Sequence, residues 1–193
     1  MGLAVADHVR YTVGVSNAIV EKFGLELCSP HFLGVFAADY IPRKKLLEAD
    51  KFIVIVNLGE KGRGRRRRRR KEEEEEELPV GHFVALCGTK RRIQYWDPYA
   101  LPCLQPHVDE FLRDCVGGGR TLEVNHRQIQ AFESVYCGFF CLLYAAYQSR
   151  CMNGQEPRFK LHFYKRRANL IKNDEKCMEY LRTFIDELDG VRN

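Results

Sequence analysis

The chain of 193 residues has no apolar run long enough for a membrane span; the longest nearly apolar stretch, Val135 to Tyr147, is 13 residues, a length that suits a buried helix. The opening MGLAVADHVRYTVG shows no basic segment followed by a continuous apolar one, so a secretory leader is not expected and the eight cysteines are expected to be reduced thiols in an intracellular setting. Ala6 stands where a myristoylation signal has Ser or Thr, which argues against lipidation. No CxxC pair occurs, and the i,i+4 pair Cys137 and Cys141 has no second ligand pair nearby; no metal site is expected. There is no internal repeat. The charge excess is small, +5 with a pI near 8.8, so nucleic-acid binding would need clustered charge.

What is present is enough apolar and aromatic residue, 45% and 11%, to bury one core, and a single domain over 1–193 is expected. Ser16 or Asn17 caps a short helix to Phe23 with Ile19, Val20 and Phe23 on one face. The run Lys51 to Leu58 is continuously β-branched and bounded by Gly59, as in a strand covered on both faces. Residues 82–88 and 92–98, joined by Gly88-Thr89-Lys90, read as a hairpin. Gln105 to Cys115 reads as a helix ended by Gly117-Gly118-Gly119, and 120–130 as an imperfect strand through Leu122, Val124 and Ile129. The most apolar helix runs from Cys137 to about Arg150, and two more are expected from Tyr164 to Lys172 and from Asp174 to Leu188. Residues 59–77, GEKGRGRRRRRRKEEEEEE, cannot bury apolar area and read as a charged loop insert. From 60 to 77 it holds nine positive and seven negative side chains, which is +2 of the total +5.

Three residues attract chemical interest. Cys137 lies where a loop meets an apolar helix, so unpaired N–H groups and the helix dipole favour a thiolate there. His82 begins a strand directly after Gly81, at a loop mouth. Asp97 closes the next strand, biased to extended backbone by Pro98. In the hairpin His82 and Asp97 become cross-strand neighbours, and a carboxylate there could accept Nδ1–H. Each also admits a structural reading: a small core thiol, a solvated histidine, a turn aspartate.

The order His, Asp, then Gln130 seven residues before Cys137-Gly138 resembles the adenovirus protease family (adenain), in a clan that includes SUMO-deconjugating enzymes. The residues carrying the likeness are Pro30-His31-Phe32-Leu33-Gly34-Val35-Phe36, Ile53-Val54-Ile55-Val56-Asn57, Gly81-His82-Phe83-Val84-Ala85, Trp96-Asp97-Pro98-Tyr99, and Gln130 through Cys137-Gly138-Phe139-Phe140-Cys141. It extends from about Ser16 to Arg150. The resemblance implies an α+β, papain-like/adenain-like fold: a mixed central sheet with the nucleophile at the N-terminus of a buried helix. It implies a cysteine endopeptidase with Cys137 as nucleophile, His82 as base, Asp97 orienting it and Gln130 as side-chain donor to the oxyanion. Gly138 would leave room for a substrate backbone and Trp96 would join the binding surface.

By the same resemblance the substrates are viral precursor proteins cut beside glycine, the setting is the host nucleus and the maturing virion, and the protein acts as a monomer. No cofactor is required. DNA stimulation is the corresponding expectation for the basic runs Arg65 to Arg70, Lys90-Arg91-Arg92 and Lys165-Arg166-Arg167, through phosphate neutralisation. Two departures stand out. The family usually has Glu where Asp97 stands, and Gly119 occupies the place of the cysteine that tethers an activating peptide, with Cys115 four residues earlier. A disulfide-linked peptide is therefore not expected, Cys115 and Cys103 being the alternatives for one. The rival functions are a ubiquitin-like-modifier deconjugase using the same four residues, and a non-catalytic DNA-binding virion protein.

Overall fold

The computed structural model describes residues 15–59, 81–155 and 161–192. Ser16, in extended backbone, caps the first helix, α1 (Asn17–Leu27), by accepting from the Ile19 N–H, as a short hydroxyl at this position should. Strand β1 (Phe32–Ala37) follows, then a 3₁₀ turn (Ala38–Tyr40), the short helix α2 (Arg43–Glu48) and strand β2 (Lys51–Asn57). The hairpin consists of β3 (Phe83–Thr89) and β4 (Arg92–Trp96), and the chain continues through α3 (Pro106–Gly117), β5 (Thr121–Val124) and α4 (Cys137–Met152). A 3₁₀ segment (Arg167–Lys172) leads into α5 (Asn173–Arg192).

The five strands form one mixed sheet in chain order. β2, β3 and β4 are antiparallel neighbours, while the outer pairs β1/β2 and β4/β5 are parallel. Parallel neighbours need a crossover, and α2 and α3 lie in those two connections. The protein is thus mixed α/β, in keeping with an α+β arrangement.

Both faces of the sheet are covered. Along β2, Phe52, Val54 and Val56 join a core with Leu46, Val108, Phe111 and Leu112, whereas Ile53 and Ile55 point to a second core built with α1, α4 and α5. Period-two alternation with apolar residues on both sides is why this strand reads as an unbroken apolar run. The hairpin register pairs Gly88 with Ile93 and Ala85 with Trp96. Inside the segment expected as an insert, everything beyond Gly59 up to residue 80 lies outside the described residues. No helix among the described residues is long and apolar enough to cross a membrane.

Three elements differ from expectation. The strand expected over 120–130 is only β5, with Leu122 and Val124 exposed. Asn125 ends it, because its side chain accepts from the Asp97 N–H (2.8 Å) and donates to the Asp97 carbonyl (2.6 Å), taking the place of a further ladder pair. Helix α2 was not anticipated: the Arg120 guanidinium, 74 positions from Leu46, donates to the carbonyls of Leu46, Leu47 and Ala49 at 3.2, 3.0 and 2.9 Å. Satisfying helix-end carbonyls from so far away leaves no local sequence trace. The helix expected from Tyr164 is a 3₁₀ segment beginning only at Arg167.

Candidate active site

Cys137 is the first residue of α4, and Tyr136 before it makes no side-chain cap. The helical ladder starts with the Phe140 N–H on the Tyr136 carbonyl, so the N–H groups of the first turn precede it. One turn further, the Cys141 thiol donates to the Phe83 carbonyl at 3.2 Å. This pins the start of α4 against the start of β3, and His82 immediately precedes β3. Two residues 55 positions apart are brought together by a bond between their neighbours.

His82 Nε2 lies 2.9 Å from Asp97 Oδ1, and the Asp97 side chain is 1% exposed. The cross-strand neighbourhood expected from the hairpin is present, with one correction: the carboxylate meets Nε2 instead of Nδ1. Neither ring nitrogen meets a partner in good hydrogen-bond alignment; before substrate arrives, such contacts are commonly long or off-line. Burial disfavours the imidazolium, but hydrogen bonding and charge from Asp97 and Cys137 outweigh it and push the His82 pKa up to about 9. A protonated imidazole between a carboxylate and a thiol is the arrangement that holds an ion pair ready.

The Asp97 carboxylate is itself held by the turn that follows it. Its Oδ1 accepts the Tyr99 N–H at 2.7 Å, and the Ala100 N–H closes onto the Asp97 carbonyl at 2.8 Å. Ala100 has φ 55°, a left-handed conformation that costs an alanine about 1 kcal/mol or more and is imposed by this turn. The turn stacks the Tyr99 ring on His82, with centroids 4.8 Å apart, and Phe132 on Tyr99 at 5.3 Å. Burial, then the charges of Cys137, Asp97, Asp174 and Glu133, push the Tyr99 phenol up to about 12, and its hydroxyl donates to the Ser134 carbonyl at 3.0 Å.

Gln130 is fully buried. Its Nε2 donates to the Ser134 carbonyl (3.0 Å) and to Ser134 Oγ (3.1 Å), and its Oε1 has no partner. Both amide hydrogens are therefore engaged with Ser134 in the free protein. Ser134 Oγ in turn donates to Asp174 Oδ1 at 2.8 Å and accepts the Tyr136 N–H at 3.2 Å. At Gly138 the direction a side chain would take is filled: a Cβ there would stand 2.3 Å from Val15 Cγ1 and 3.1 Å from Val20 Cγ2. This glycine is needed for packing α4 against α1. Trp96 is half-buried and stacks on Tyr144 of α4, 4.5 Å between centroids and 6° between planes.

None of the eight cysteines is in a disulfide. Burial drives Cys28, Cys87, Cys141 and Cys177 well above the ordinary thiol range. Cys115 is 1% exposed beneath Arg120, so a peptide could reach it only by opening the core; Cys103 is half-buried. No group of His, Cys, Asp and Glu among the described residues is arranged to hold a metal ion. Sequence reasoning missed Asn125, Ser134, Asn173 and Asp174, whose links are side-chain bonds between distant segments. The only prior hint was an acidic residue in the first turn of α5, a common helix-dipole feature. No protein-family model matches the chain, and no curated protein matches it.

Proposed function

We propose that the chain is a papain-like/adenain-like cysteine endopeptidase. The observation that carries this reading is the placing of His82 between the buried Asp97 carboxylate and the Cys137 thiol at the start of α4. In the proposed reaction the Cys137 thiolate attacks a peptide carbonyl carbon and the carbonyl oxygen becomes an oxyanion. The backbone N–H of Cys137 donates to that oxygen, and Gln130 becomes the second donor by giving up one of its two contacts with Ser134. His82 then passes its proton to the leaving amine, and water, deprotonated by His82, hydrolyses the thioester. Asp97 keeps the ring oriented and stabilises its charge.

The substrate class, viral precursor proteins cut beside glycine in the nucleus and virion, is taken from the sequence resemblance alone. For DNA stimulation, the support is the exposed Lys165, Arg166 and Arg167; Lys90 and Arg92 are already paired with Asp50 and Glu123 at 3.0 and 3.8 Å. The decisive experiment is cleavage of a library of glycine-containing linear peptides by the wild type and by Cys137→Ala, each with and without duplex DNA over a salt series. Cys137-dependent cleavage is expected, with any DNA effect fading steeply as salt rises. Cleavage that survives Cys137→Ala, or no cleavage while a folded ubiquitin-like fusion is processed, would overturn the endopeptidase reading.

A further inference from the structure

The N-terminus of α5 reaches back over 40 residues to hold the segment that carries Gln130. Asn173, fully buried, donates through Nδ2 to the Ile129 carbonyl at 2.7 Å. Next to it, Asp174 accepts the Ser134 hydroxyl at 2.8 Å. The segment from 129 to 134 is thus gripped at both ends by adjacent residues of one helix, with Gln130 inside the grip. Hydrogen-bond direction matters at Ser134. With its hydrogen given to Asp174, Oγ offers its lone pairs to Gln130 Nε2 and to the Tyr136 N–H, and a hydroxyl has two such acceptor sites.

We propose that Asp174, acting through Ser134, is a positioning residue for the oxyanion side of the site: its carboxylate sets the Ser134 hydroxyl so that Gln130 and the approach to Cys137 are held in register. The proposal rests on the endopeptidase reading for its catalytic consequence. Protonated, Asp174 keeps a carbonyl acceptor but loses the charge that strengthens the bond, so it holds the Ser134 hydroxyl less firmly and the contacts that Oγ accepts from Gln130 and Tyr136 loosen. Burial, opposed by the Ser134 hydrogen bond and assisted by the charge of Glu175, pushes the Asp174 pKa up to about 6. The other groups facing it are the phenols of Tyr99 and Tyr136 and the thiol of Cys177. All three stay neutral in that pH range, so the hold on Ser134 weakens as pH falls through about 6.

The test uses the whole chain, with kcat and KM measured between pH 5 and 8 for wild type, Asp174→Asn, Asp174→Ala, Ser134→Ala and the double alanine variant. Alongside it, the side-chain amide signal of Gln130 is followed by NMR, assigned through Gln130→Glu. At pH 8 Asp174→Asn, a neutral acceptor like protonated Asp174, is expected to show the lowered kcat that wild type reaches below pH 6. It should lose the fall in kcat near pH 6. Asp174→Ala and Ser134→Ala should each lower kcat by about 10-fold or more with KM little changed, and the double variant should be no worse than the singles. In wild type the Gln130 signal should titrate near pH 6 and in Asp174→Asn it should not. Folded Asp174→Ala with wild-type kcat, or a Gln130 signal blind to Asp174, overturns the proposal. A wild type with no Cys137-dependent turnover removes the endopeptidase reading instead, and the Gln130 signal still decides whether Asp174 governs that amide.

Discussion

The two halves of the candidate site are built differently. His82 and Asp97 sit at adjoining ends of β3 and β4, whose relative placement is set by a backbone ladder with a continuous register from Gly88↔Ile93 to Ala85↔Trp96. Gln130 and the approach to Cys137 belong to a connection with no regular structure, where the Ile129 and Gln130 N–H groups share the Pro98 carbonyl and side chains supply the other ties: Asn125 on Asp97, Gln130 on Ser134, Ser134 on Asp174, Asn173 on Ile129. A ladder distributes its constraint over many bonds. A connection held by a few separate bonds loosens when one is removed, so the same conservative change should matter more on the second side for position and more on the first for charge.

The sharpest break of that comparison is at the shared centre. His82→Ala should lower kcat/KM by about 10⁴-fold, the upper end for a general base. It should also cost about 1 to 3 kcal/mol of stability, because the buried Asp97 loses its cation. Cys137→Ala should abolish turnover and leave the melting temperature nearly unchanged. Finding the reverse, a stability loss for Cys137→Ala and none for His82→Ala, would mean that the pair is a packing contact. Asp97→Asn comes next, with an expected loss in kcat of about 10²-fold, milder than His82→Ala since the ladder still aims the ring. A neutral Asp97→Asn would remove Asp97 from the reaction.

That contrast also explains what could be read in advance. The hairpin, the doubly covered β2, the buried helix beginning at Cys137 and the meeting of His82 with Asp97 all follow from periodicity and turn signals, which are local. Val54 and Ile55 betray a two-faced strand by being apolar in succession. The packing of Gly138 left no local sign because its neighbour in space, Val15, is 123 positions away, and nothing beside a glycine says whether its missing side chain makes room for a ligand or for another helix. Ser134 and Asp174 were invisible for the same reason. A serine in a loop and an aspartate in a first helical turn are what any solvated segment contains, and only the distance between them shows a buried contact.

The packing reading of Gly138 sharpens the comparison on the second side. Gly138→Ala places a methyl into Val15 and Val20, so an overpacking cost of about 1 to 3 kcal/mol is expected despite the better helix propensity of alanine. If thermal unfolding shows Gly138→Ala to be as stable as wild type while KM rises, the space belongs to a substrate after all.

On the first side the expected signature is a pH dependence of stability. The folded His82 pKa is raised to about 9 from 6.5. Its contribution is therefore complete below about pH 6.5 and lost as pH rises through about 9, amounting to about 1 to 3 kcal/mol. Denaturant midpoints between pH 6 and 9.5 should show the decline, and it should shrink in Asp97→Asn. A midpoint flat across that range would place the imidazole away from both partners.

The smallest effect is expected where the chain is most unusual in composition. The ladder of β2 and β3 ends at Asn57 and Phe83, and the Leu58 N–H extends it by donating to the His82 carbonyl at 2.8 Å. Gly59 donates to the Asn57 side chain at 3.0 Å. Among the described residues these bonds and the hairpin ladder place His82, and the charge removed with 60–77 is +2. Deleting 60–77 should therefore leave unfolding free energy within about 1 kcal/mol and leave cleavage of short peptides unchanged. Shortening the connection between Asn57 and Phe83 to less than a third of its length lowers the closure cost by only about 1 kcal/mol. A fall of several degrees in melting temperature, or a loss of His82-dependent activity without one, would show that the ladder alone does not hold the strand-built half.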